Sequence, residues 1–102
     1  MDEKKLEILK ELWEVIQDRK SNPSEGSYTV KLIQDPDKLM QKMDEELDEI
    51  KAAVEAGATT GSGKDSLVWE TGDLLYHLLV LLASKDVDFE HVLDELRRRR
   101  SA

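Results

Sequence analysis

The chain contains no cysteine. Disulfides, thiolate catalysis and cysteine-ligated zinc are therefore excluded. It has only two prolines, Pro23 and Pro36, and both stand where a helix should break or begin. It also lacks a long hydrophobic run. The longest, Leu74 to Ala83, is interrupted by His77 and falls well short of the roughly 20 residues a membrane span needs. The N-terminal Met1-Asp2-Glu3-Lys4-Lys5 leads into no apolar stretch resembling a signal peptide. Basic charge is short as well: 15 Lys and Arg stand against 23 Asp and Glu, for a net charge of -8. General nucleic-acid binding, which needs basic patches to meet phosphates, is disfavoured. A cytoplasmic protein with no membrane and no nucleic-acid partner is expected.

What the chain does have is charge and helical periodicity. Charged residues make up 37% of its 102 positions, so most helix faces should be solvated. This length suits one domain, residues 1–102, with a core modest enough that a partner subunit would help bury it. Leu6, Leu9, Trp13 and Ile16 predict an amphipathic helix over residues 4–19. The turn formers from Ser21 to Ser27 should end it. Tyr28 to Ile33 alternates like a strand but has no partner strand anywhere in the chain, and reads as a short helical or extended arm.

Asp35-Pro36 marks the next helix start. Leu39, Met43, Leu47, Ile50 and Val54 follow along its expected core face, with Gly57 as its C-terminal cap. Ala58 to Asp65 is rich in small residues and is expected to be a flexible connector. Its Gly61-Ser62-Gly63-Lys64 lacks the spacing of a phosphate-binding loop. A third helix should run from about Ser66 to Ser84, apolar on nearly every side from Leu74 to Leu82 and so buried all round. Asp88 should cap a fourth helix ending in Arg97 to Arg100. The expected class is all-α: a four-helix bundle, completed by dimerisation.

Chemistry is concentrated in acids. Glu45 and Glu49 are four residues apart and Glu46 and Glu49 three, so their carboxylates project within one arc; Glu70 and Asp73 repeat the three-residue spacing on the next long helix. Antiparallel packing would oppose the two acidic faces. Any one of these runs could be a solvated helix surface. Glu70 and Asp73, however, border the most apolar helix, where unpaired acids are costly. Five carboxylates brought together repel one another, and a divalent cation removes the conflict. Oxygen-only ligands favour Mg2+, with Mn2+ as a substitute, and magnesium keeps positions open for substrate phosphates.

The order E-E-x-x-E then E-x-x-D resembles the all-α nucleotide pyrophosphohydrolases of MazG type. Within them the chain is similar to the phosphoribosyl-ATP pyrophosphohydrolase family of histidine biosynthesis. The narrower resemblance rests on Val15 to Lys20 with Glu25-Gly26-Ser27-Tyr28-Thr29, on Asp73-Leu74-Leu75-Tyr76-His77 with the apolar run to Leu82, and on Val92 to Leu96 with the closing arginines; it spans roughly residues 6–100. It implies a MazG-like bundle completed as a homodimer, and hydrolysis of phosphoribosyl-ATP to phosphoribosyl-AMP and pyrophosphate. Glu46, Glu49, Glu70 and Asp73 would be the metal ligands. Glu45 would orient or deprotonate the water, or complete the metal shell.

Ser27, Tyr28, Thr29 and Lys31 are candidate substrate contacts on the same ground, against a capped turn with Tyr28 packed on the core. Lys38 and Lys42 either meet substrate phosphates or pair with nearby acids, such as Lys42 with Glu46. His77, four residues after Asp73, reads as a core histidine bonded to that acid. Arg97 to Arg100 complement a helix C-terminus or reach a phosphoribosyl group. Two other functions stay open: a housecleaning nucleoside triphosphate pyrophosphohydrolase, and a non-catalytic dimerisation module with a solvated acidic face.

Overall fold

The computed structural model describes residues 1–57 and 61–101, the side chains of residues 61–63 excepted. Within these residues every regular element is a helix. Helix α1 spans Glu3–Ser21, opening on Asp2, whose carboxylate accepts the Lys4 N–H at 2.9 Å. Arg19 and Lys20 in its last turn complement the helix dipole. Helix α2, Tyr28–Gln34, settles the ambiguous arm as helix: Ser27 caps it by accepting the Val30 N–H at 3.3 Å. With no neighbouring strand to pair with, the backbone groups of this segment are satisfied only by bonding to each other. Among the described residues there are thus five helices, the four long ones expected from the sequence and the short arm.

Helix α3, Pro36–Glu55, begins at Asp35, whose side chain accepts the Lys38 N–H at 3.2 Å, with proline in the first turn. It ends at Ala56, and Gly57 follows at φ +80°, a conformation open to glycine, with its N–H donating to the Val54 carbonyl. Helix α4 is Gly61–Ser84. Of the expected connector, Ala58 to Thr60 lies outside the described residues, but Gly61 to Asp65 is helical, which corrects the loop expectation. Extending an already anchored helix adds one hydrogen bond per residue ordered, which offsets the ~1 kcal/mol that each glycine costs. Helix α5, Phe89–Arg100, is capped by Asp88.

The core is built from Ile16 of α1, Leu32 of α2, Leu39 of α3, and Leu79, Val80 and Ala83 of α4. Ile16, Leu32, Leu39 and Val80 are fully buried, each stabilising the fold by about 1.5–3 kcal/mol. Trp13 and Phe89 pack against this core and each other, with ring centroids 5.8 Å apart, and so tie α5 to α1. Between α4 and α5, Asp86 adopts φ +57° while Lys20 donates to the Ala83 carbonyl at 2.7 Å and pairs with Asp86.

Two burial expectations are corrected. Leu47 and Val54 of α3 are 44% and 57% exposed, because the buried stripe runs instead through Leu39, Glu46 and Ala53, spaced seven apart. On α4, Leu75 and Leu78 are 47% and 40% exposed. The helices packed around α4 cover only part of its circumference, and α5, which buries none of its own residues, leaves an apolar groove of about 350 Å³ between itself, α1 and α4. By length and composition alone, Lys64–Ser84 could cross a membrane. In this fold it is the helix that carries the core and the acids facing α3.

Candidate active site

Glu46 meets His77 and Glu49 meets Glu70. Residues that rise along α4 thus meet residues that fall along α3, and the two helices are antiparallel. Glu70, Asp73, His77 and Val80, at 3-4-3 spacing, share one stripe of α4. The facing stripe of α3 places Glu46 between Leu39 and Ala53, which is why a glutamate here is only 8% exposed.

The structure brings Glu46, Glu49, Glu70 and Asp73 into one electrostatic neighbourhood. Glu70 records the effect: its carboxyl is pushed up from 4.5 to about 7. The largest cause is a hydrogen bond with Glu49, followed by burial, then by the negative charges of Glu49, Asp73 and Glu46. Glu45 lies apart. At 100° per residue, Glu49 falls between the other two, about 60° from Glu46 and about 40° from Glu45. With Glu46 turned inward, Glu45 is therefore exposed, accepting a bond from Gln41 at 3.4 Å.

His77 is 4% exposed. Its Nδ1 lies 2.5 Å from Oε1 of Glu46, off the line of a well-formed hydrogen bond, and its Nε2 is 3.4 Å from the Tyr28 hydroxyl. Its polar partner is thus Glu46 across the helix interface and not Asp73 on its own helix. Reading along one helix could not show this. The available signal was the seven-residue spacing of Glu46 from Leu39 and of His77 from Glu70, which puts both on buried stripes.

The substrate candidates divide. Tyr28 is 45% exposed, with its hydroxyl toward His77 and the Lys42 ammonium 5.9 Å from its ring centroid. Lys42 therefore meets an aromatic face here, an attractive cation–π placement. Thr29 hydrogen-bonds the Tyr76 hydroxyl. Ser27 and Lys31 line a separate cleft of about 450 Å³ with Pro23, Gly26 and Gln34. Lys38 is exposed in the first turn of α3. At the far end of the chain, Glu95 engages Arg98 and Arg99, while Arg97 and Arg100 line a shallow cleft with Leu93 and Leu96.

Among the described residues, no three His, Asp or Glu side chains are gathered as a ready-made metal cage. The acids meet in pairs instead. Yet Oε2 of Glu46 and Oε2 of Glu70 are buried without any hydrogen-bond partner. Buried carboxylate oxygens are costly when unpaired, and binding a cation is one way such oxygens are satisfied. The donor set fits magnesium.

The fold and site define an all-helical domain with a paired-carboxylate centre between antiparallel helices. The sequence model described as Phosphoribosyl-ATP pyrophosphohydrolase matches residues 9–100, and the chain belongs to that family. A Phosphoribosyl-ATP pyrophosphatase of Methanocella arvoryzae is 42% identical over 97 residues, covering 92% of this chain and 97% of the relative. The protein of that name from Geotalea daltonii is 42% identical, covering 91% and 84%. A Histidine biosynthesis bifunctional protein HisIE of Pyrococcus furiosus is 45% identical across 93% of this chain. There the chain spans only 42% of the relative's length.

Proposed function

We propose that the chain hydrolyses phosphoribosyl-ATP between its α and β phosphates, giving phosphoribosyl-AMP and pyrophosphate in histidine biosynthesis, with Mg2+ as cofactor and Mn2+ as a substitute. The observation that carries this reading is the pair of buried, unpartnered carboxylate oxygens on Glu46 and Glu70, in a chain whose family shares the reaction's name. Glu46, Glu49, Glu70 and Asp73 hold the metal. When bound, magnesium supplies neutralisation of the triphosphate charge and a more acidic water.

The remaining steps belong to side chains. Glu45, on the exposed shoulder of α3, orients the water and takes its proton as oxygen bonds to the α phosphorus. The bond to the bridging oxygen breaks, and pyrophosphate leaves with the electron pair. Lys42 and Tyr28 beside the centre contact the substrate, with Thr29 and Lys38 on the same two helices and Ser27 and Lys31 reaching it from the separate cleft.

We further propose a cytoplasmic homodimer in a MazG-like bundle of the four longer helices. The exposed Leu75, Leu78, Leu93 and Leu96 support it, since together they form an apolar face that a second copy would cover.

The test is turnover of phosphoribosyl-ATP and of a panel of canonical and damaged nucleoside triphosphates, with and without Mg2+. Magnesium-dependent turnover of phosphoribosyl-ATP is expected, reduced at least ~100-fold in Glu49→Ala. Turnover of an ordinary triphosphate with none of phosphoribosyl-ATP would overturn the assignment.

A further inference from the structure

The buried pair of His77 and Glu46 has a geometry that the acidic centre alone does not require. Both side chains are about nine-tenths buried, at 6% and 10% exposure; Glu46 lies between buried Leu39 and Ala53 on its stripe, and His77 lies next to buried Val80 on its own. Polar groups so placed are costly unless they satisfy one another. A ring nitrogen and a carboxylate oxygen 2.5 Å apart would repel as bare lone pairs, so Nδ1 carries the proton and meets Oε1 in a close polar contact, though off the line of a well-formed hydrogen bond. Nε2 is then the acceptor, and the Tyr28 hydroxyl at 3.4 Å is its donor.

The ring is also held from two sides. Tyr76 packs at 5.1 Å between centroids and Tyr28 at 6.1 Å, and Tyr76 is itself bonded to Thr29 of α2. Of the two oxygens of Glu46, His77 occupies one and leaves Oε2 without a hydrogen-bond partner.

We propose that His77 is a positioning residue for the acidic centre: with Tyr28 behind it, it holds Glu46 by one oxygen so that the other stays free for a divalent cation. Through Tyr28 and Thr29, the helix that carries the substrate candidates is mechanically tied to a metal ligand. Outer partners that orient a ligand typically change metal affinity by about 10- to 100-fold when removed. This inference rests on the metal reading proposed above.

The experiment is a Mn2+ titration of the full chain, following the free ion by electron paramagnetic resonance, with Mg2+ competition. Urea unfolding in EDTA measures stability separately. His77→Leu is expected to bind Mn2+ about 10- to 100-fold more weakly, while His77→Asn, whose amide can donate from near the Nδ1 position, recovers most of the affinity. Tyr28→Phe, at a half-exposed position that does not endanger folding, should weaken binding roughly twofold to tenfold. If His77→Leu does not fold, the Asn and Phe variants decide the matter. Unchanged affinity in folded His77→Leu or in Tyr28→Phe would overturn the positioning role, leaving His77 a core residue that moves stability alone. Failure of the unsubstituted chain to bind either ion would overturn the metal reading itself.

Discussion

Replacing Glu70 by glutamine should stabilise the metal-free protein at pH 8 and leave it nearly unchanged at about pH 4, below the unfolded value. In the fold the Glu70 carboxyl is raised from 4.5 to about 7, because it shares a hydrogen bond with Glu49, is partly buried and faces the charges of Glu49, Asp73 and Glu46. Between those pH values the native state holds a proton that the unfolded chain releases, so stability falls as pH rises from about 4.5 through about 7. The gap of about 2.5 sets a ceiling of ~3.4 kcal/mol. Glu70 is only partly buried, and solvent screening reduces the expected effect to about 1–2 kcal/mol. For a chain of this size that corresponds to a melting shift of roughly 5–15 °C. Glutamine keeps the shape and the hydrogen-bonding capacity of the protonated acid but cannot ionise. Thermal melts followed by circular dichroism in EDTA would show wild type and Glu70→Gln melting together at about pH 4 and the variant melting higher at pH 8. Added Mg2+ should raise the wild-type melting point at pH 8 and do less for the variant. Equal melting of the two proteins at pH 8 would refute the repulsion argument.

Other expectations concern the scaffold. Leu39→Ala removes a fully buried side chain and should cost about 2–5 kcal/mol in urea unfolding. Lys20→Met abolishes the bonds to the Ala83 carbonyl and Asp86 and should lower stability by about 1 kcal/mol, also by urea unfolding. Leu78→Glu places charge on the apolar face of α4 and should shift the proposed dimer to monomer in analytical ultracentrifugation, with little loss of helical circular dichroism.

The sequence by itself determined the helices and most of their ends, because caps and stops are local chemistry: Asp35-Pro36, Asp88 and Gly57 act on backbone groups within a turn of themselves. It also grouped the acids by helix, since three- and four-residue spacings place side chains on a common face. Tyr28 to Ile33 stays undecided in the sequence, as so short an alternation fits two backbones until a neighbour is present or absent. Tertiary structure decided the rest. Which stripe of α3 turned inward put Glu46 in the core, left Glu45 on the surface, and exposed Leu47 and Val54. The antiparallel register of α3 and α4 chose Glu46 as the partner of His77 and Glu49 as the partner of Glu70. Those pairings depend on the rotation and register of two helices, degrees of freedom that periodicity along one helix does not contain.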